Sequence, residues 1–399
     1  MTWSLKSLDE LGTVGRGRSR HRPRDSAHLY GGPYPFIQTS DIKHANLYVT
    51  EYTQTYSEAG LAQSKLWKAG TLCITIAANI ADTAILGIDA CFPDSVIGFI
   101  PDPAKTNARF IKYLFDAILQ QQFQQFTQGA AQDNLSETKL LSLKFCIPDV
   151  DIQIRIADIL STYDIVIENN RRRIQLLEQA ARLLYREWFV ALRFPGYEHI
   201  KIVNGIPEGW VRCLVRDVVT YLNRGITPKY NDDAPGIIIN QRCIRNGLLN
   251  LTLARHQSKQ IPKDKLIRFG DVLVNSTGEG TLGRVAQVIF EIDNCTVDSH
   301  VTIVRPSSKV GVYYFGMCMQ NTASYLGVMG RGATNQTELA SATIENIAIL
   351  IPSPVLAGKF EDISRDIFTQ INNLINQNIK LSHARDLLLP RLMNGEIAV

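Results

Sequence analysis

The feature that most constrains this chain is a repeat about 200 residues long. Short strings recur in the same order at offsets of 202 to 204 residues. The aligned pairs are Ile37–Ile42 with Ile239–Ile244, Gly129-Ala130 with Gly332-Ala333, and Ile147-Pro148 with Ile351-Pro352. A unit of this length exceeds the roughly 50 residues of solenoid repeats. It predicts two domains of one fold, each followed by a long helix, and two such domains can bind two separated parts of one long partner.

Composition limits the class of protein. The 399 residues are enough for two or three domains with their own cores. Apolar content of 45% and charged content of 20% are ordinary for a globular protein. No apolar run reaches the roughly 18 residues of a membrane span, and the N-terminus lacks the pattern of a signal peptide. We therefore expect a cytoplasmic protein without a membrane partner. Seven cysteines without a Cys-x-x-Cys pair predict neither a zinc site nor a disulfide framework.

Positive charge is unusually dense in one short segment near the N-terminus. Arginine occupies every second position there: Arg16, Arg18, Arg20, Arg22 and Arg24. Gly15, Gly17 and Pro23 disfavour a helix, and in an extended segment this period of two directs all the guanidinium groups to one side. Such groups suit DNA phosphates and guanine edges. The alternative is a solvated, mobile basic loop.

The pattern of apolar residues predicts four segments and an α+β fold class. We expect mixed α/β domains over residues 1–148 and 193–354, and long helices over residues 149–192 and 355–399. The two similar domains are thus separated by two long helices, which we expect to form an antiparallel coiled coil.

The two long helices carry apolar seams with alternating steps of four and three residues. The first seam is Ile156, Leu160, Tyr163, Ile167, Asn170, Ile174, Leu177, Ala181, Leu184 and Trp188; the second is Ile367, Ile371, Leu374, Asn378, Leu381, Arg385, Leu388 and Leu392. One antiparallel register aligns every layer, with Asn170 opposite Asn378 and Tyr163 opposite Arg385. The alternative is that each helix packs only on its own domain.

Helix length gives this pairing a use. From Ile156 to Trp188 a helix spans roughly 48 Å, which exceeds one turn of B-DNA. Paired helices could therefore hold two reading domains about a turn or more apart. The charged residues expected to face outward are candidates for docking of a partner: Arg171, Arg172, Arg173, Glu178 and Glu187.

The sequence contains few signals for catalysis. The seven histidines form no His-Glu-x-x-His spacing, and neither a Gly-x-Ser-x-Gly elbow nor a Gly-x-x-x-x-Gly-Lys-Ser/Thr phosphate loop occurs. The glycine-rich string Gly278–Gly283 follows one strand-like run and precedes another, Arg284–Phe290. A dinucleotide site needs a helix at that place, so we interpret the string as a hairpin loop.

The chain resembles the specificity subunits of Type I restriction–modification systems over essentially its whole length. Besides the two Gly-Ala strings before each Ile-Pro, the resemblance rests on Phe269–Val274, Arg186-Glu187-Trp188-Phe189, Arg193–Gly196 and Ile206–Trp210. It implies two target recognition domains, two conserved helices, a bipartite DNA target and no catalysis by this subunit. The implied partners are double-stranded DNA, two methyltransferase subunits and translocase/nuclease subunits. S-adenosylmethionine, ATP and Mg would bind to those partner subunits, and no cofactor or metal is expected on this chain.

Polar residues in the predicted loops and strand ends are candidates for DNA contact. In the first domain they are the arginine row with Gln38, Thr39, Ser40, Asn79 and Gln132. In the second they are Thr227, Lys229, Gln241, Arg242, Arg245, Asn275, Ser276, Thr277, Arg331, Asn335 and Gln336. Arginine and lysine suit phosphates and guanine, whereas asparagine and glutamine suit adenine edges. For Asn275–Thr277, capping of a turn is the alternative.

Three other functions stay open at this point. One is a specificity subunit of a methylation-only complex without a nuclease partner. Another is a two-domain scaffold that binds protein only. A third is a free-standing methyltransferase or nuclease, against which stands the absence of the Asn/Asp-Pro-Pro-aromatic tetrapeptide of adenine methylases.

Overall fold

The computed structural model describes residues 3–77, 80–127, 136–330 and 338–399. These residues form two compact units, one made of Met1–Arg171 with Asn376–Val399 and the other of Arg172–Ile375. Each unit therefore contains one mixed domain together with part of each long helix.

The domain of the first unit is built around a five-stranded sheet. Its elements are β1 Ser4–Lys6, α1 Leu8–Leu11, β2 Gly12–Arg16, β3 Tyr30–Phe36, α2 Thr39–His44, β4 Tyr48–Val49, β5 Gln54–Tyr56, α3 Glu58–Ala62, β6 Leu72–Thr75, β7 Thr83–Leu86, β8 Val96–Pro101, α4 Ala108–Thr127, α5 Glu137–Ser142 and β9 Phe145–Ile147. The sheet order is β2-β8-β6-β7-β4, while β1 pairs with β9 and β3 with β5. Strands β6 and β7 are fully buried, and apart from Thr75 and Thr83 all their residues are apolar.

The domain of the second unit has a four-stranded central sheet. After α6 Val150–Tyr185 come β10 Ile202–Val203, β11 Ile206–Pro207, β12 Val211–Leu214, β13 Val219–Arg224, β14 Gly236–Ile239, β15 Ile244–Arg245, β16 Leu248–Leu249, β17 Arg255–Gln257, β18 Val272–Asn275, β19 Val285–Gln287, β20 Cys295–Val297, β21 Val301–Pro306, α7 Val312–Asn321, α8 Ala323–Val328, α9 Ser341–Glu345, β22 Ala348–Ile351 and α10 Pro354–Met393. The order is β13-β21-β18-β19. Strands β18 and β19 pair as a hairpin, which confirms the interpretation of the glycine-rich string.

The two domains share one topology, as the repeat predicts. The order β2-β8-β6-β7 in the first corresponds to β13-β21-β18-β19 in the second, and the β1–β9 pair corresponds to β12–β22. All these pairings are antiparallel. The predicted α+β fold with two similar domains is confirmed.

The long helices pair antiparallel in the predicted register. In the first unit, Asn170 Nδ2 donates to Asn378 Oδ1 at 2.9 Å. In the second unit, Leu177 and Ala181 of α6 share an apolar cluster with Ile371 and Phe368 of α10. Helix α6 continues without a break into a π-helical turn, Arg186–Val190. The Asn170–Asn378 contact thus confirms the predicted register in the first unit, and in the second unit seam residues of both helices lie in one apolar cluster.

Two details of the helices differ from the sequence expectation. Arg385 forms its ion pair with Asp164, the neighbour of Tyr163, because Asp164 is the residue that points into the buried layer. Glu178 does not face outward: it is buried, and desolvation raises the pKa of its carboxyl group. The seam is wider than the strict a/d pattern, which explains why a charged residue beside it lies inside.

The Asn170–Asn378 contact gives a quantitative test of the register. We expect Asn170→Leu and Asn378→Leu to cost about 1 kcal/mol each, because either change removes the hydrogen bond between the two amides, while Asn170 keeps Gln377 and Asn378 keeps the Ile167 carbonyl as acceptors. The double variant should be less destabilised than the sum, with a coupling above about 0.5 kcal/mol in urea unfolding. Additive costs would contradict direct contact.

Candidate nucleic-acid interface

The arginine row, here called the arginine strap (residues 16–24), starts at the last residue of β2 in the first unit, runs without a helix to His21 and bends at residues 22–24. The Gly17 amide donates to the Val96 carbonyl at 2.9 Å, and the Arg18 amide donates to the Phe92 carbonyl at 3.1 Å. Gly17 is buried, and any side chain there would overlap the Pro93 carbonyl oxygen. Glycine at this position therefore allows the strap to lie directly on the neighbouring backbone.

Side chains on the other edge hold the same segment. Gln63 Oε1 accepts from the Arg20 amide at 2.6 Å and the His21 amide at 3.0 Å. Ser64 Oγ donates to the Arg18 carbonyl at 2.8 Å. These bonds favour an anchored strap over a mobile basic loop.

The five arginines of the strap fall into two groups. Three have guanidinium partners: Arg16 Nε donates to the Asp94 carbonyl, Arg22 donates to two backbone carbonyls, and Arg24 forms an ion pair with Asp94 at 2.9 Å. Arg18 and Arg20 are exposed, and their guanidinium groups have no partner among the described residues. Ser19 between them is buried, so the predicted period of two is present in this part of the strap. Arg18 and Arg20 are therefore the arginines of the strap whose guanidinium groups are available to bind an anion.

Gln38, Thr39 and Ser40 lie at the start of α2. The Gln38 amide donates to Asp41 Oδ2 at 2.8 Å, and its side-chain Nε2 donates to Gln54 Oε1 at 2.6 Å. Ser40 is exposed in the first turn, and Thr39 is half-buried. Gln38 is thus partly engaged in holding the loop, which leaves Ser40 as the most accessible of the three.

The aligned string in the second unit also starts a short helix. Asn240 caps the 3₁₀ helix Gln241–Cys243 by accepting from the Arg242 amide at 2.9 Å. Gln241 Nε2 donates to Thr277 Oγ1 at 2.9 Å, which ties this turn to the end of β18. Arg242 and Arg245 are exposed and, within the described part of the chain, without a side-chain partner. At the repeat offset of 202 they align with Ser40 and Lys43 of the first unit.

Asn275 and Ser276 require a correction. Both are fully buried, since Asn275 Nδ2 donates to the Gln241 carbonyl at 3.0 Å and Ser276 Oγ is hydrogen-bonded to Thr302 Oγ1. Their side chains stabilise the turn and are not accessible to a ligand, so Asn275 and Ser276 are not candidates for DNA contact. Thr277 is half-buried, and its hydroxyl oxygen Oγ1 lies 2.8 Å from His300 Nδ1. His300 is exposed and was missed because the sequence shows it only as an isolated residue before β21.

Thr227 and Lys229 lie on an exposed loop of the second unit. The Thr227 carbonyl accepts from Lys259 Nζ at 3.3 Å, and the Lys229 carbonyl accepts from the Ser258 amide at 2.8 Å. These bonds use the backbone, so both side chains remain on the surface. Next to them, Arg255 stacks on Tyr230 at 3.7 Å, a contact between residues 25 apart that the sequence pattern could not reveal.

Five predicted contact residues lie outside the described residues: Asn79, Gln132, Arg331, Asn335 and Gln336. The Gly129-Ala130 and Gly332-Ala333 strings lie outside them as well. These predictions stay predictions.

Two features are absent from the part of the chain that the structure describes. Within residues 3–77, 80–127, 136–330 and 338–399, histidine, cysteine and carboxylate side chains form no group of three that could hold a metal ion. No helix in the same stretches combines the length and apolar character of a membrane span.

Comparison with known proteins identifies related chains. A family model described as the Type I restriction modification DNA specificity domain matches residues 1–179. The chain is 24% identical to the Type I restriction enzyme MjaIX specificity subunit of Methanocaldococcus jannaschii, over 100% of this chain and 94% of the relative. It is 23% identical to the HindI specificity subunit of Haemophilus influenzae, over 97% and 98% of the two chains. The S subunit of a Type I restriction-modification system from M. genitalium has the same fold, with a TM-score of 0.60, 14% identity, and coverage of 98% of this chain and 96% of that one.

Proposed function

We propose that this chain is a specificity subunit of a Type I restriction–modification system and that it recognises a bipartite double-stranded DNA target, because the matching family model and the relatives that align over nearly the whole chain are specificity proteins of that class. Each domain would read one half-site, with an unread gap between them. The paired helices would carry two methyltransferase subunits and the translocase/nuclease subunits. The chain itself would be non-catalytic, and S-adenosylmethionine, ATP and Mg would bind to the partner subunits.

The observation that carries this proposal is the duplication of one topology, with exposed arginines that lack a side-chain partner among the described residues in each copy. Arg18 and Arg20 follow β2 in the first copy; in the second, Arg242 follows β14 and Arg245 ends β15. Arginine forks bind phosphates and the O6/N7 edge of guanine, so each copy carries groups suited to a DNA half-site. A duplex offers two separated half-sites to two copies of one fold, which a compact small ligand does not.

Methylation mapping tests the proposal directly. In a host carrying this chain with its methyltransferase subunit, we expect adenine methylation at a target of two short half-sites and a gap of constant length. The chain purified alone should incorporate no label from S-adenosylmethionine into DNA. A contiguous target would contradict the reading of one half-site per domain, and label incorporation by the chain alone would contradict its non-catalytic role.

A salt titration separates recognition from a protein-binding scaffold. The methyltransferase complex should bind its mapped duplex with an affinity that falls steeply with salt concentration, because phosphate contacts release counterions. A complex that assembles but shows no such binding would favour the scaffold. Cleavage that depends on ATP would separate the full restriction system from a methylation-only complex.

A further inference from the structure

The second unit contains a cavity of about 390 Å³ that the predicted DNA contacts do not include. It is lined by residues of α6, the β15–β16 turn, the start of β19 and α7. Of the eleven lining residues, three are arginines (Arg182, Arg186 and Arg284) and none is a carboxylate. Its walls also include Asn246 and Gln320, which supply amide groups. A cavity of this size with converging cationic and amide donors has the character of a ligand site.

Two of the arginines are held in place by backbone carbonyls. Arg182 Nη2 donates to the Asn246 carbonyl, and Arg284 Nη2 donates to the Gly280 carbonyl at 2.6 Å. Each bond uses one of the five N–H donors of a guanidinium group, so the others remain available. Arg186 is exposed, begins the π-helical turn, and has no side-chain partner among the described residues. Two of the three guanidinium groups are therefore held in place, and none of the three forms an ion pair among the described residues.

The Asn246-Gly247 turn completes the wall. Both residues have positive φ, 55° and 80°, as in the type I′ turn of a two-residue hairpin. A side chain at Gly247 would lie 2.9 Å from Gln320 Oε1 and 3.0 Å from Arg182 Nη2. Gln320 Nε2 in turn donates to the Gly247 carbonyl at 3.2 Å. Glycine here lets the turn approach α6 and α7 closely enough to form the cavity.

The charges around the cavity favour an anion. Glu178 lies one turn before Arg182 on α6 and is buried, but it does not line the cavity. The C-terminal end of α6 contributes a partial charge of about −0.5. Together these are smaller than three full positive charges, so the cavity remains electropositive.

The corresponding cavity of the first unit has a different charge balance. It measures about 420 Å³ and is lined by positions that match at the repeat offset, such as Arg385 for Arg182 and Thr83 for Val285. There, Lys43, Lys112 and Arg385 are accompanied by the carboxylates Asp82, Asp116 and Asp386. Positive and negative groups are equal in number, and Arg385 is already paired with Asp164. An excess of positive charge is thus specific to the cavity of the second unit.

We infer that the cavity formed by Arg182, Arg186 and Arg284 binds a phosphate group. The phosphate would accept hydrogen bonds from the guanidinium groups, in the manner that makes arginine suited to phosphate recognition. It could belong to the DNA backbone beside Arg245, which immediately precedes the Asn246-Gly247 turn, or to a free phosphorylated molecule. The DNA source rests on the proposed function, whereas the free source does not.

The first arm of the test uses inorganic phosphate and pyrophosphate with the full chain. Arg186→Gln is the key variant, because the Arg186 side chain has no hydrogen-bond partner among the described residues and the fold should be unaffected. Pyrophosphate should raise the melting temperature of the wild type in a saturable manner, and the apparent Kd should weaken at least tenfold in Arg186→Gln. Arg212→Gln, an exposed arginine on β12 also without a side-chain partner in the described part of the chain, is the control and should behave as the wild type.

The second arm measures DNA binding of the methyltransferase complex as a function of salt. If the phosphate belongs to DNA, Arg186→Gln should make the negative slope of log K against log salt shallower by about 0.9. Arg212→Gln should leave that slope unchanged. Loss of pyrophosphate binding with an unchanged slope would assign the site to a free phosphorylated ligand. Arg186→Gln indistinguishable from Arg212→Gln in both arms would overturn the inference. Failure of the wild type to bind DNA would reject the proposed function, while the first arm would still decide the fate of the cavity.

Discussion

Replacing Arg385 by methionine should destabilise the first unit by about 3–5 kcal/mol, because it leaves the Asp164 carboxylate buried without its counter-ion. Asp164 is 3% exposed and accepts hydrogen bonds from Arg385 and from the hydroxyl group of Tyr113. Burial raises the pKa of Tyr113, so the phenol stays protonated and acts as a donor. One neutral donor does not replace a guanidinium group beside a buried charge. Urea unfolding at neutral pH measures the loss.

A control on the same helix separates this effect from the loss of any arginine. Arg391 is 58% exposed and its nearest carboxylate oxygen, in Glu396, lies 3.5 Å away, so Arg391→Met should change stability by less than about 1 kcal/mol. The double variant Asp164→Leu with Arg385→Met should recover much of the loss, since it removes both charges. Equal effects of Arg385→Met and Arg391→Met would show that Asp164 is not confined as the structure has it.

The register of the long helices could be predicted because it depends on a regular sequence period. Every layer of the seam had to match at once, so the positions of Asn170 and Asn378 were strongly constrained. The partner of Arg385 was less constrained, because Tyr163 and Asp164 are adjacent and only the packing of α4, through Tyr113, decides which one faces the buried layer. The burial of Glu178 was missed because it flanks the seam residue Leu177, and a period of alternating four and three residues does not show how far the buried face extends on either side.

Contact residues were harder to predict than the fold, because polar side chains compete for backbone partners that the sequence does not reveal. Gln241 and Asn275 are bonded to groups more than 30 residues away, and this contact draws Asn275 into the interior. In the arginine strap, Asp94 and nearby carbonyls engage Arg16, Arg22 and Arg24. The period of two indicated one face correctly, but only the tertiary contacts distinguish free arginines from structural ones. The same applies to Arg182 and Arg284, which no short motif marks.

The sharpest test of DNA reading is therefore the pair Arg18 and Arg20. We expect Arg18→Gln with Arg20→Gln to weaken binding of the methyltransferase complex to its mapped duplex by about 30-fold or more, because each lost contact to phosphate or guanine contributes on the order of 1–3 kcal/mol and the two together at least about 2 kcal/mol. If both contacts are to phosphates, the negative slope of log K against log salt should become shallower by about 1.8. If they are to guanine, the slope should change little while discrimination at one half-site is lost.

The control must remove two positive charges without touching the strap. Arg212 and Arg268 are exposed, and in the described residues neither side chain has a partner, so Arg212→Gln with Arg268→Gln changes the net charge equally. A similar weakening in both double variants would mean that total charge, and not the strap, governs affinity. Because the strap belongs to one domain only, base changes in one half-site should lose their effect in the Arg18/Arg20 variant while those in the other keep it. Equal loss at both half-sites would argue that the strap contacts no particular half of the target.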